Sequence, residues 1–452
     1  MTLLNELSAE VCQRARMSRD PRFDGRFFVA VKTTGIFCRP ICPANLPKEE
    51  NVEYFSSQAL AVSAGYRPCL RCRPESAPHS WAWKGAETTF LRALTLIEQG
   101  ELDGSLETLA SRLGISDRYL RQLFQRHLGM PPKQYAQIQQ LMFAKQLLHT
   151  SQISITEVAY ASGFQSTRRF NDAFQKLFRL TPTQVRRERA ALPSRNHLSL
   201  AFRGPFDWAH MLDFYRLRAI EGMELVDEQS YQRHFALGEG TGWFKASMAQ
   251  SHLDIEFEME RLSDLRHLVA RLRRMFDLDA DLISIEAHLE QLAPGLVRRT
   301  GIRIPGVWNA WEAGVRAVLG QQVSVKAAIG QLNLLVSTLA ASEGSTRYFP
   351  TPEQVQMSDL SFLRMPERRK ETLKRLADYV RLHPMDSPMA WLSLSGIGPW
   401  TVDYAQLRGE SRSHCFLTGD LIVKKALAKF PQLTAESVAP WGSYATFHCW
   451  SH

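Results

Sequence analysis

The sequence predicts a multidomain chain, mainly α with α+β parts, and three observations carry that expectation. Four cysteines gather between positions 38 and 72 in two close pairs, which marks a small domain organised around a metal. Two stretches with the same helix, glycine turn, helix grammar follow one another between 105 and 174, which marks an all-α unit. Beyond 197 apolar residues first alternate, as in strands, and from 293 recur at helical spacing. An α+β unit with helices on one face of an antiparallel sheet should therefore precede a second all-α unit. The expected boundaries are residues 1–78, 85–192, 196–288 and 289–452.

Composition supports several packed units. The chain has 452 residues, enough for about three or four domains, and is 44% hydrophobic. No apolar run is long enough to cross a bilayer and no basic-then-apolar leader opens the chain, so the expectation is a cytoplasmic protein with no membrane partner. Seven cysteines, four of them clustered, suit a reducing compartment, and Cys12, Cys415 and Cys449 read as ordinary packing residues. The net charge of +9 is uneven: residues 1–200 hold 27 Lys and Arg against 17 Asp and Glu, and the remainder holds 28 against 29. A basic front half suggests a polyanion partner, most simply double-stranded DNA, and a near-neutral rear half suggests a different task.

Cys38 and Cys42 are spaced C-x3-C, Cys69 and Cys72 C-x2-C, and 26 residues separate the pairs. Two such pairs can set four sulfurs at the corners of a tetrahedron, as Zn²⁺ requires, each at about 2.3 Å from the ion. Spacing alone leaves open whether the site is structural or reactive. The runs Phe27 to Pro43 and Ala64 to Pro74 resemble the N-terminal domain of Ada-type DNA methyl-transfer regulators. The resemblance covers about residues 5–76. It implies that Cys38, while a zinc ligand, is also a nucleophile that takes and keeps a methyl group from a methylated DNA phosphate. Zinc holds cysteine as thiolate, the nucleophilic form. Methylation of one sulfur would take the site from a net charge of −2 to −1, weakening repulsion of DNA.

The first repeated unit runs Ser105 to Ala110, Gly114 to Ser116 and Arg118 to Phe124; the second runs Ile155 to Ala159, Ser162 to Phe164 and Thr167 to Phe174. A helix near Glu87, with Leu91, Leu94 and Ile97 on one face, precedes them. Each second helix begins with basic residues and can enter a major groove. The twin units, with Gly129-Met130-Pro131-Pro132 and Leu180-Thr181-Pro182 after them, resemble the AraC-type DNA-binding domain over about residues 85–190. That implies recognition helices starting near Ser116 and Ser166, with Arg118, Arg121, Arg168 and Arg169 as candidate base readers. RNA polymerase is then an expected partner. Pro74 to His79 and Pro193 to Arg195 read as linkers.

In the rear half, strands are expected at His197–Phe202, Tyr231–Leu237 and His252–Met259, and helices at Asp207–Glu221 and Leu262–Met275. Gly396-Ile397-Gly398 allows a tight hairpin between helices, whose free N–H groups can hold a DNA phosphate whatever the sequence. Asp420, 20 residues past Trp400, reads alone as a helix N-cap. Together with Arg316 to Val325 and Trp441 to Trp450, these stretches resemble the AlkA-type 3-methyladenine DNA glycosylases of the helix-hairpin-helix superfamily, over about residues 197–452. The resemblance implies that Asp420 stabilises positive charge on the deoxyribose and helps position water. It places the base pocket at Phe214, Trp400, Tyr404 and Trp450, the wedge at Ile304, and DNA-backbone contacts at Gly396 and Gly398. A monovalent cation at the hairpin is a further expectation, and no organic cofactor is expected. Two departures bear on base preference: Leu421 stands where the best-known member has tyrosine, and Gly419 replaces an acidic neighbour. No Pro-Cys-His-Arg motif occurs, so direct repair of O6-methylguanine is not expected. The whole reads as an alkylation sensor, a transcription factor and a base-excision glycosylase in one monomeric chain. The alternative is a regulator whose C-terminal half only binds damaged DNA.

Overall fold

The computed structural model describes residues 7–20, 23–72, 74, 81–98, 100, 102, 105–187, 196–340, 342–343, 346–384 and 386–451. Both expected linkers therefore lie outside the described residues, apart from Pro74. By compactness the chain divides into Met1–Gln139 and Gln140–His452. The division falls inside one helix, Pro132–Thr150. No described helix is long and apolar enough to cross a membrane.

In the first unit, Ser8 caps the helix Ala9–Met17. A four-stranded sheet follows, in the order Val52–Phe55, Phe28–Val31, Ile36–Cys38, Arg67–Pro68. The last pair is parallel, with Phe37 opposite Pro68. That pairing brings chain segments 31 positions apart side by side, with Cys38 ending one strand and Cys69 just past the other. The helices Trp81–Glu98, Leu106–Arg112 and Asp117–Leu128 then pack with the start of Pro132–Thr150 around Phe90, Ile97, Leu109, Leu120 and Phe124. The face expected for the first of these helices is corrected in part. Ile97 is buried, but Leu91 is 54% exposed, and Phe90, Ala93 and Leu96 take the inward positions.

The second unit opens with the helices Ile155–Ala161, Thr167–Phe178 and Pro182–Arg187. A five-stranded antiparallel sheet follows, in the order His197–Ala201, His252–Met259, Gly240–Met248, Ser230–Leu237, Glu224–Val226. Strands 224–226 and 240–248 were not foreseen. The second is masked in sequence by Gly240-Thr241-Gly242, which reads as a turn. In the sheet Gly242 is needed for close approach, since a Cβ there would lie 2.4 Å from the Glu258 carbonyl. Trp208–Arg216 and Leu265–Met275 cover the apolar side, burying Met211, Tyr215, Leu268 and Leu272 against Phe235, Phe244 and Ile255.

The remaining helices include Leu282–Leu292, Ala310–Gly320, Val325–Leu339, Glu367–Leu382, Pro399–Glu410, Leu421–Leu427 and Gly442–Trp450. Four buried charges tie them to the sheet. Arg233, on the inward face of its strand, pairs with Glu224 at 2.8 Å and with Glu312, which is 1% exposed. Arg316, one turn beyond Glu312 on the same helix, pairs with Glu312 at 2.8 Å and with Glu224 at 3.2 Å. Burial alone would push the Glu312 carboxyl up, but Arg233 and Arg316 outweigh it and hold the carboxyl at about 2. Removing one partner would leave a buried guanidinium uncompensated, which costs about 3–5 kcal/mol. Glu312→Gln should therefore lower the denaturant midpoint of this unit by an amount equivalent to about 3 kcal/mol, measured by chemical unfolding.

A second buried group makes stability depend on pH. Asp277 accepts hydrogen bonds from Ile304 N at 3.2 Å and Tyr444 Oη at 2.9 Å, joining three segments. Burial pushes its carboxyl up to about 7. Because this value lies above that of the unfolded chain, the native state binds the extra proton between about pH 4 and pH 7, and stability falls as pH rises through that window. The full effect is on the order of 4 kcal/mol. Asp277→Asn should remove this contribution, so that the variant gains on the wild type from pH 5 to pH 8 in urea unfolding.

Candidate active sites: a thiol centre and an aromatic cavity

The thiol centre is built by the parallel strand pair. Cys38 ends the strand Ile36–Cys38, and Cys69 follows Arg67–Pro68 with its backbone N bonded to Phe37 O at 3.0 Å. Cys42 and Cys72 complete the group, and the four Sγ atoms lie within 4.8 Å of one another. Tetrahedral thiolates around zinc stand roughly 3.8 Å apart, so the set suits the ion. Arg39 N donates to Cys72 Sγ at 3.4 Å, while the Arg39 guanidinium pairs with the Asp24 carboxylate. The Cys72 thiol is drawn down to about 6, first by its hydrogen bond from Cys38. Cys38 is pushed up by that same bond and by burial, and burial pushes Cys42 up. The cluster alone thus resists a second negative charge, and a dication is the partner that lets all four sulfurs ionise. Cys42 and Cys72 are buried, whereas Cys38 and Cys69 are half-exposed. Arg67 and Arg71, both exposed, flank Cys69.

Both expected recognition helices are present, Asp117–Leu128 capped by Ser116 and Thr167–Phe178 capped by Ser166. Arg118, Arg168 and Arg169 are exposed on the first turns and Arg121 is exposed on the second. Arg121 is held by Asp117 at 3.1 Å, one turn back.

The rear half holds a cavity of about 510 Å³ lined by Phe214, Arg218, Trp400, Tyr404, Asp420 and Trp450, among others. The four predicted pocket aromatics and the predicted carboxylate therefore meet in one place. Phe214 and Trp450 lie nearly parallel, 6.3 Å apart, and Trp400 stacks on Tyr404 at 5.4 Å. Asp420 is indeed the N-cap of Leu421–Leu427: its Oδ1 accepts from Ile422 N at 2.9 Å and Val423 N at 3.2 Å. The same oxygen accepts from the Trp450 indole at 3.1 Å. Among the described residues Oδ2 has no hydrogen-bond partner. Capping thus holds one carboxylate oxygen of a residue that lines the cavity, and leaves the other without a protein donor among the described residues.

Ile304 is not a wedge. It is 0% exposed and packs in the core with Ile285, Leu407 and Phe447, so it cannot reach a duplex. Leu217, Val325 and Ile422 are exposed apolar side chains that line the cavity; Val323, also exposed, lies on the loop Gln321–Ser324 and borders both this cavity and the adjoining groove. Gln321 Nε2 ties that loop to the hairpin, donating to Gly396 O at 3.1 Å and Thr401 Oγ1 at 3.2 Å. Gln322, exposed at the tip, has φ of +57°, a conformation that costs a non-glycine residue about 1–2 kcal/mol.

Comparison with known proteins decides the family. A probable bifunctional transcriptional activator/DNA repair enzyme AlkA of Mycobacterium tuberculosis is 34% identical over 475 residues, covering 98% of this chain and 96% of that protein. The chain belongs to this family of fused activator and AlkA-type repair proteins. The family models place the metal binding domain of Ada at residues 11–75, a helix-turn-helix domain at 109–188 and the AlkA N-terminal domain at 197–309. DNA-3-methyladenine glycosylase 2 of Escherichia coli is 34% identical over 277 residues, covering 56% of this chain and 96% of that protein. The bifunctional transcriptional activator/DNA repair enzyme Ada of E. coli is 35% identical over 170 residues, covering 38% of this chain and 47% of that protein.

The AlkA-type half also contains residues that sequence reasoning passed over. Arg218 and Arg408 place guanidinium carbons 3.7 and 4.7 Å from the centre of the Phe214 ring. Their only sequence signal was spacing, since Phe214 and Arg218 sit four apart and Tyr404 and Arg408 do the same.

The hairpin glycines separate structure from function. Gly396 has φ of +92°, and a Cβ there would lie 2.1 Å from Thr372 Oγ1. At Gly398 nothing lies within 4 Å of an added Cβ. Gly396→Ala should therefore destabilise this unit by at least about 1 kcal/mol. Gly398→Val should leave its thermal midpoint nearly unchanged yet weaken binding to a non-specific duplex, read by fluorescence anisotropy.

Proposed function

We infer that this chain is a bifunctional alkylation-response protein. Its AlkA-type half is a DNA-3-methyladenine glycosylase that hydrolyses the N-glycosidic bond of alkylated bases, and its Ada-type half is a methylphosphotriester-sensing transcriptional activator. The observation that carries the enzymatic reading is the convergence of the Asp420 side chain and the four aromatic side chains on one cavity. A flipped base enters that space, and a carboxylate beside its sugar stabilises the positive charge that builds as the bond to C1′ breaks. Phe214, Trp400, Tyr404 and Trp450 hold the base. Val323 and Gln322 supply the wedge, and Gly396 and Gly398 present the hairpin backbone to a phosphate. A monovalent cation at the hairpin belongs to the same reading.

Cys38, Cys42, Cys69 and Cys72 would hold Zn²⁺, which supplies the charge that keeps all four sulfurs as thiolates. Cys38 and Cys69 are partly exposed, which supports an acceptor among them, and the resemblance points to Cys38. The Cys38 sulfur attacks the methyl carbon of the phosphotriester. An S–C bond forms, the C–O bond breaks, and the phosphate leaves as an ordinary diester anion. One thiolate charge is lost next to Arg67 and Arg71, so the domain repels DNA less. Arg118, Arg121, Arg168 and Arg169 then read promoter DNA in successive major grooves, with RNA polymerase as partner. The reading has four modules bounded near residues 78, 192 and 288, in a monomer working on chromosomal DNA in the cytoplasm.

Asparagine also caps helices, so Asp420→Asn should fold normally and release 3-methyladenine at least about 100-fold more slowly in single turnover; a wild-type rate would remove Asp420 from catalysis. After exposure to methylphosphotriester DNA, the intact wild-type chain should gain one methyl mass on Cys38. Cys38→Ala should gain none while its base release is kept, and continued uptake would move the acceptor to Cys69.

A further inference from the structure

The aromatic cavity holds a cation that the base-release chemistry above does not use. Arg218 lies two residues beyond the helix Trp208–Arg216 and lines the cavity. Its backbone oxygen is held by Arg316 Nη1 at 2.9 Å, and its own Nη1 donates to Phe214 O at 3.2 Å. The guanidinium lies 3.7 Å from the centre of the Phe214 ring. Among the described residues no carboxylate pairs with it, and burial, helped by Arg408 and Arg316, draws its pKa down to about 10 against the pull of Tyr404. A partly buried guanidinium without a counter-ion is costly, and such groups mark candidate ligand contacts.

We propose that Arg218 is a specificity-determining residue of the base seat, favouring neutral purines that carry a carbonyl acceptor over purines made cationic by ring methylation. The proposal rests on the base-excision reading. Two effects act in the same direction. The guanidinium groups of Arg218 and Arg408 lie 3.7 and 4.7 Å from the centre of the Phe214 ring, so a cationic purine in the seat meets like charge where an all-aromatic seat would attract it. The leaving group supplies the second effect. When the C1′–N9 bond breaks, its electron pair goes to the base. A neutral purine becomes an anion, which guanidinium donors on its acceptor edge stabilise; a cationic purine leaves neutral and gains nothing from them. Water oxygen bonds to C1′ and one of its protons remains on the new hydroxyl; the other ends on the departed base when the purine was neutral and passes to solvent when it was cationic.

The test compares single-turnover release of hypoxanthine, a neutral purine with a carbonyl, and of 7-methylguanine, a cationic one, from matched duplexes by the full chain. Arg218→Met should lower the ratio of hypoxanthine to 7-methylguanine release by about tenfold or more, and Arg218→Lys should restore part of it by returning the charge. Equal loss of both rates in Arg218→Met, a lysine variant that behaves like the methionine one, or a wild-type chain that releases 7-methylguanine but no hypoxanthine would each overturn the proposal. A wild-type chain that releases no alkylated base at all overturns the base-excision reading itself, and this proposal with it.

Discussion

The rear half depends on one buried carboxylate, Glu312. It stands on the helix Ala310–Gly320 and faces a guanidinium from the sheet and another from its own next turn. Through Arg316, whose Nη1 holds the backbone oxygen of Arg218, the network also fixes the segment that carries Phe214 and Arg218. The cavity is assembled from two kinds of structure: Phe214 and Arg218 come from the α+β part, while Trp400, Tyr404 and Trp450 come from helices. Apolar packing alone would let such layers slide. Paired charges with directional hydrogen bonds give the contact one register, at the cost of desolvating four ions.

The two reactive groups are tuned by opposite means. The thiol cluster gathers more acidic groups than it can ionise unaided, so its reactivity waits on a cation. Asp420 needs no such help. Two backbone N–H groups at a helix start and one indole N–H hold one of its oxygens and leave the other for chemistry. In the proposed reading one sulfur would accept a methyl group and be consumed, whereas the carboxylate would be returned unchanged after each turnover. A sensor that records damage and a catalyst that removes it make different demands, and the chain meets them at separate sites.

Much of this was legible before any coordinates. The C-x3-C and C-x2-C spacings located a four-sulfur site because metal geometry constrains spacing tightly. The serine caps at 116 and 166 and the turn glycines between the paired helices are local signals, and local signals survive in a sequence. The reading failed where a long-range contact decided the outcome. Ile304 looks like any exposed-loop isoleucine beside Pro305-Gly306, but the fold closes Leu407 and Phe447 over it. Gly242 reads as a turn until Glu258 on the next strand is seen against it. Leu91 matched the helical period as well as Phe90, and only the position of Leu106 to Phe124 settled which face turned inward. Arg218 and Arg408 passed unremarked because a guanidinium over a ring is a contact in space, and the sequence alone shows only an arginine four residues after an aromatic.

The central claim is that Asp420 is aimed at the sugar of a base flipped into the aromatic cavity. Its most direct test is a crystal structure of the chain on a duplex carrying a cationic pyrrolidine in place of one deoxyribose. The account predicts Asp420 Oδ2 within about 3 Å of the ring nitrogen, with Oδ1 still held by Ile422, Val423 and Trp450. A pyrrolidine left stacked in the duplex, or seated with its nitrogen turned away from Asp420, would contradict it.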